Sequence, residues 1–251
     1  MRDVEEVAMA IAVVFPVVTP AYAGRGASRA FSKIDGREVF LRSVELYTPR
    51  DQVKQRIVVA TPSDLQEMQE RYSAHLGFQG VEVTAGGSDW FSCVGRGIEK
   101  LKPEIDIVIV HDPCCPAVGY LLLNALEEAL AKNREAAGVV PILPSRSAFA
   151  DVEGARLADY VDMAKVVEVQ APQIFRRAAL EGAYGARGTA TFVDDGELVA
   201  SAGGKIVTIP GSRFNMRIDS DDMVRLGKDL LEHMPKPKAR TPLAAFGEAE
   251  W

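Results

Sequence analysis

At 251 residues the chain is long enough for one large α/β domain, and 47% hydrophobic with 25% charged residues excludes a disordered or fibrous polymer. A net charge of −6, with no long run of Lys and Arg, argues against general affinity for a nucleic-acid backbone. Three cysteines, Cys93 and the adjacent pair Cys114–Cys115, make a poor disulfide framework or four-ligand metal site, so the chain reads as reduced and cytoplasmic.

The first apolar run, Ala10–Val18, is β-branched and unbroken, as expected of a strand covered on both faces. Ala21-Tyr22-Ala23 imitates a signal-peptidase site. The segment before the run is acidic rather than basic, and the run is too short for a membrane span, so a buried first strand is the reading. A polar loop with glycines follows over Ala21–Ser28. Val39–Tyr47 reads as a helix, Arg56–Ala60 as a second strand, and Pro62–Leu76 as an amphipathic helix with a Thr61/Ser63 cap signal. Gly80–Thr84 is a third strand, Trp90–Leu101 a helix, Ile105–Val110 a fourth strand, Tyr120–Asn133 a helix and Gly138–Leu143 a further strand. Such alternation implies βαβ crossovers and a mostly parallel sheet, a Rossmann-like α/β fold with ligands beyond the carboxyl ends of its strands. The loop after Val18, the Gly86-Gly87 loop and His111-Asp112 all fall there.

Ser145–Gln170 breaks the pattern. It is polar, with a turn candidate at Asp151–Gly154 between two short extended runs, and predicts a projecting β-arm over residues 146–169. A helix is expected beyond Gln173, then a strand over Lys205–Pro210, a loop over Gly211–Ile218 and a final helix over Ser220–Met234 with acidic residues at its start. Residues 1–234 are thus one domain, and residues 235–251, rich in Pro, Ala and charge, a mobile tail. His111 reads as a structural histidine with its hydrogen bonds satisfied.

Four stretches then fall into a known pattern. They are Gly86-Gly87 with Cys93-Val94, His111-Asp112-Pro113-Cys114-Cys115-Pro116, Val161-Asp162-Met163 with Gln170-Ala171-Pro172-Gln173-Ile174-Phe175, and Ile209–Ile218. In order and spacing, from about residue 10 to residue 232, the chain resembles the methylerythritol phosphate cytidylyltransferases. That resemblance implies joining CTP to a sugar phosphate with release of pyrophosphate in isoprenoid precursor synthesis, magnesium as cofactor, and a homodimer clasped through residues 146–169. It assigns catalytic roles to Arg29 and Arg217, nucleotide binding to Arg25, Gly86, Gly87 and Cys93, acceptor binding to Arg146, Ser147 and Arg213, and the metal to Asp112. For Asp112, a strand-end carboxylate that only caps its own turn is the competing reading.

The departures from the pattern are as informative. The glycine-rich phosphate loop is replaced by Pro16–Tyr22, where prolines remove amide donors. Gly24-Arg25-Gly26 is a shifted substitute for it, or an ordinary basic loop. Trp90, Cys115 and Met163 stand where the family carries arginines. The expectation is weak or lost activity. The alternatives are a silent nucleotide-binding or scaffolding homologue and a nucleotidyltransferase of changed specificity.

Overall fold

The computed structural model describes residues 9–19 and 28–234. In chain order the elements are β1 (Ile11–Val17), β2 (Lys33–Ile34), β3 (Arg37–Glu38), α1 (Val39–Glu45), β4 (Val53–Ala60), α2 (Leu65–Phe78), β5 (Val81–Ala85), α3 (Trp90–Glu99), β6 (Ile107–Val110), α4 (Tyr120–Lys132) and β7 (Gly138–Pro144). They continue with β8 (Ala150–Glu153), β9 (Arg156–Tyr160), β10 (Val167–Val169), β11 (Gln173–Arg176), α5 (Arg177–Ala186), α6 (Asp195–Ser201), β12 (Ile206–Pro210) and α7 (Asp221–His233).

The central sheet runs β5-β4-β1-β6-β11-β7-β12, with β10 pairing β7 beyond the end of β11. Gly138 pairs with both Phe175 and Ile206, and Ile142 with both Val169 and Pro210, so β10 and β11 share one side of β7 and β12 takes the other. The contacts β5-β4, β4-β1, β1-β6 and β7-β12 are parallel; β11 and β10 are antiparallel to their neighbours. The mostly parallel α/β fold expected from the alternation is therefore present.

β1 explains the layering. All seven of its residues are buried. Successive side chains of a strand point to opposite faces. Ile11, Val13, Phe15 and Val17 enter a core with Phe40, Val44, Met68, Leu76, Leu123 and Leu126, from α1, α2 and α4. Ala12 and Val14 enter a second core with Phe91, Val94, Leu180 and Leu198, from α3, α5 and α6.

Three sequence expectations need correction. The segment after Gln173 is not helical at once: Gln173–Arg176 forms β11, inserted antiparallel between β6 and β7. Its four residues lie directly after Pro172 and carry no β-branched run, so only tertiary pairing defines them. An additional short helix, α6, begins at Asp194, whose side chain accepts from the Glu197 amide. The N-cap position of α2 is Asp64, not Thr61 or Ser63, and it makes no side-chain cap bond; the Thr61 hydroxyl donates to the Asp64 carboxylate at 2.8 Å.

The arm is the expected hairpin. β8 and β9 pair antiparallel around a turn with Gly154 at φ 63°, a left-handed conformation that glycine adopts without steric cost. Val152, Leu157 and Tyr160 on it are 65%, 62% and 69% exposed, so the hairpin has no core of its own within one chain. No helix among the described residues is long and apolar enough to cross a membrane.

Candidate functional site

β1, β4, β5 and β6 run parallel, so the loops after β5 and β6 open on one edge of the sheet, and Gly86 and Asp112 lie on that edge together. The turn after β6 is tightly fixed. Asp112 is fully buried, and its Oδ1 accepts from the Cys114 amide at 2.8 Å. The Ile218 amide donates to Cys114 O at 2.7 Å, which lays the stretch before α7 along this turn. That contact delivers Arg217, whose Nε donates to Asp112 Oδ2 at 2.7 Å.

His111 is fully buried beside them. Its Nε2 lies 3.0 Å from the Cys115 carbonyl, which only accepts, so this nitrogen carries the proton and Nδ1 accepts from the Tyr47 hydroxyl at 2.7 Å. Burial pulls its pKa down to about 4, so it is a neutral structural histidine, as read from the sequence. Burial also pushes the Cys114 thiol up to about 12 and the Cys115 thiol well above its ordinary range, so neither is a thiolate nucleophile.

Arg213 and Arg217 both line a cavity of about 320 Å³ with Cys115, Leu143, Val169 and Met216. Gln170 holds its rim. Its amide oxygen accepts from the Ser212 N–H at 2.9 Å, and its amide nitrogen donates to Ser212 O at 2.9 Å and Asn215 O at 3.2 Å. Asn215 returns a bond to Ala171 O. These amides tie the Arg213 loop to the chain between β10 and β11.

A second cavity, of about 440 Å³, lies between the arm base and α6 and includes Trp90, Phe149, Val169, Gln173, Asp194 and Asp195. Asp195 is 2% exposed. It accepts from Trp90 Nε1 at 2.8 Å and from the Tyr184 hydroxyl at 2.5 Å. Burial outweighs these bonds and pushes its pKa up to about 6. Asp194 accepts from Gln173 Nε2 at 2.9 Å and caps α6. Sequence reasoning singled out neither acid's partners, since Trp90 and Asp195 are 105 residues apart.

A magnesium ion on Asp112, which the resemblance implies, does not fit these residues. Each carboxylate oxygen already accepts from a protein donor, the group has no exposed surface, and a guanidinium holds the place of a cation. Among the described residues no group of three His, Cys, Asp or Glu side chains is arranged to hold a metal.

The sequence model of the IspD family, 2-C-methyl-D-erythritol 4-phosphate cytidylyltransferase, matches residues 12–232. The chain belongs to this family. A relative of that name from Streptomyces avermitilis is 30% identical over 197 residues, which is 75% of this chain and 78% of the relative. A bifunctional enzyme IspD/IspF from Anaeromyxobacter dehalogenans is 31% identical over 212 residues, covering 82% of this chain and 53% of the relative. The chain thus spans about half the length of the bifunctional relatives it matches. Among solved structures, the 2-C-methyl-D-erythritol 4-phosphate cytidylyltransferase from Thermus thermophilus matches with TM-score 0.71 at 23% identity, over 87% of this chain and 98% of that one, and shares the fold.

Measured against the family assignments, the edge is only partly assembled. Arg213 and Arg217 come together, with Asp112 beneath Arg217. Arg29 follows Ser28, whose hydroxyl lies 3.7 Å from Cys114 Sγ, but its guanidinium turns to Asp221 at 3.1 Å. Arg146 and Ser147 are exposed at the arm base and line neither cavity. Gly86 and Gly87 sit where a side chain has no room: a Cβ on Gly86 would fall 2.6 Å from Cys93 Sγ, and one on Gly87 2.2 Å from Ser92 Oγ. Cys93 is fully buried and directs its thiol at Gly87 O, so its side chain is not presented to a base. Arg25 lies outside the described residues, as do Gly24, Gly26 and the tail 235–251.

Proposed function

We propose that this chain keeps the cytidylyltransferase fold and an anion-accepting edge but turns over CTP and methylerythritol phosphate weakly or not at all, serving as a nucleotide-binding or scaffolding member of its family. The observation that supports this is where three of the described arginines of the assigned site point. Arg29 is on Asp221, Arg213 on the Pro144 carbonyl at 2.9 Å and Arg217 on Asp112. A triphosphate and an attacking phosphate repel each other, and their approach needs placed cations. The positions of Trp90, Cys115 and Met163 supply none. Removing one preorganised transition-state donor costs roughly a hundredfold or more in rate, so several losses leave activity near background.

The test is pyrophosphate release by the full chain with CTP, methylerythritol phosphate and magnesium, beside an Arg217→Gln control. Robust turnover abolished in the control would overturn the reading. A second reading, nucleotidyl transfer to a different acceptor, is favoured by the apolar wall of the Arg213–Arg217 cavity, where Cys115, Leu143, Val169 and Met216 gather. Pyrophosphate release with CTP and a more apolar phosphate acceptor would support it.

The same reading includes a homodimer through residues 146–169 in the cytoplasm. The exposed Val152, Leu157 and Tyr160 support the dimer, because a lone hairpin is marginal in water. The buried free thiols of Cys93, Cys114 and Cys115 suit a reducing compartment.

A further inference from the structure

We propose that Arg217 has taken the place of the divalent cation in this chain, so that phosphate-bearing anions bind in the Arg213–Arg217 cavity without metal. The inference deepens the reading above for the same site.

The Asp112–Arg217 pair comes first. Asp112 has no exposed surface, and its charge is met at 2.7 Å by a guanidinium whose own side chain is only 14% exposed. A magnesium ion at the same carboxylate would stand against that fixed positive charge. It would also need space for the waters it keeps in octahedral geometry, because magnesium dehydrates reluctantly. The buried turn His111–Cys115, closed by the Cys114 and Cys115 amides on Asp112, leaves the carboxylate no hydrated side.

The adjacent acids Asp194 and Asp195 do not offer a replacement. Asp194 is taken by Gln173 and the α6 amide, and Asp195 by Trp90 and Tyr184.

What the cavity does hold is two guanidinium groups, of the kind that recognises phosphate, against one acidic lining residue, Glu168. Arg213 and Arg217 line it together, with Asn215 and Gln170 as neighbouring amides. A guanidinium presents five N–H donors in a planar fork matched to phosphate oxygens and stays charged at every physiological pH. Arg217 is held in orientation by Asp112 and Arg213 by the Pro144 carbonyl, so both are positioned before any anion arrives. Asp112 is then a positioning residue for Arg217 and not a metal ligand.

The test uses the full chain with pyrophosphate, and separately CTP, by isothermal titration calorimetry in EDTA and in magnesium. Manganese is titrated alongside, by electron paramagnetic resonance. Dissociation constants in the two buffers are expected to agree within about threefold, and the free manganese signal to be undiminished by the protein alone. Arg217→Gln is expected to weaken pyrophosphate binding in EDTA by roughly tenfold or more, the loss of a charge-assisted phosphate contact. Arg217→Lys, which keeps the charge but not the fork, should lose less, and it carries the test if circular dichroism shows that the glutamine variant does not fold. Binding more than about tenfold tighter in magnesium, bound manganese that disappears in Asp112→Asn, or no pyrophosphate binding in either buffer would each overturn the proposal. Turnover in the pyrophosphate-release assay would sink the functional reading alone, since calorimetry in EDTA reports on the metal separately.

Discussion

Asp195 gives the sharpest test of how this fold manages a buried charge. Replacing it with Asn keeps the shape and both hydrogen bonds, since the amide oxygen accepts from Trp90 Nε1 and the amide nitrogen donates to the Tyr184 oxygen. What disappears is the ionisation. Burial raises the folded pKa to about 6, with the Tyr184 and Trp90 bonds opposing the rise and the neighbouring Asp194 adding to it. The unfolded reference is about 3.9, so the two states differ by about two pH units at about 1.4 kcal/mol each, or about 3 kcal/mol.

The sign follows from the raised value. The contribution of Asp195 to stability is fully present below about pH 4 and is lost as pH rises through about 6. The Asn variant should therefore match the parent near pH 4 and exceed it by about 3 kcal/mol at pH 7.5, with the gap opening between about pH 4 and 6. Urea denaturation of both proteins at half-unit pH steps reads this directly, and their difference removes titrating groups that do not interact with Asp195. A gap that stays constant across the range, or opens with the parent the more stable, would refute the reasoning.

Other outcomes can be checked on the same preparations. Arg217→Met removes the guanidinium from fully buried Asp112 and should cost about 3–5 kcal/mol by urea denaturation; a loss below about 1 kcal/mol would mean that the pair is not formed. Gly138→Ala would place a Cβ 2.4 Å from Phe175 Cδ1 and 2.9 Å from Ile174 O. Because one of those neighbours is backbone, a loss of about 1–3 kcal/mol in thermal or urea unfolding is expected, and an unchanged midpoint would argue against the β7–β11 contact. Val152→Asp with Leu157→Asp puts two charges on the arm's apolar pair and should shift light scattering from dimer to monomer. The stability of the domain should stay within about 1 kcal/mol, and a parent that is already monomeric would remove the dimer from the proposal.

Most of the scaffold was legible in the sequence because its signals are local. β1 announced itself through an unbroken apolar run, since a strand covered on both faces needs apolar residues at both parities. The arm was legible for the opposite reason, a mostly polar stretch around a turn that breaks the strand–helix alternation. The strand β11 was not legible, because four residues after a proline gain extended geometry only by pairing with β6 on one side and β7 on the other.

At the site the division is sharper. The sequence by itself determined which residue types are present at the carboxyl edge: an Asp after β6, two arginines in the loop before α7, and uncharged Trp90 and Cys115. Tertiary structure alone decided what each does. Asp112 and Arg217 are 105 residues apart, and so are Trp90 and Asp195; no local pattern couples such positions. For Asp112 and Arg217 the coupling arises because the loop after β12 returns beside the β6 turn, where the Ile218 amide donates to Cys114 O. There a buried carboxylate must find a donor, and a guanidinium stands within reach. That pairing turns an apparent metal ligand into the support of an arginine.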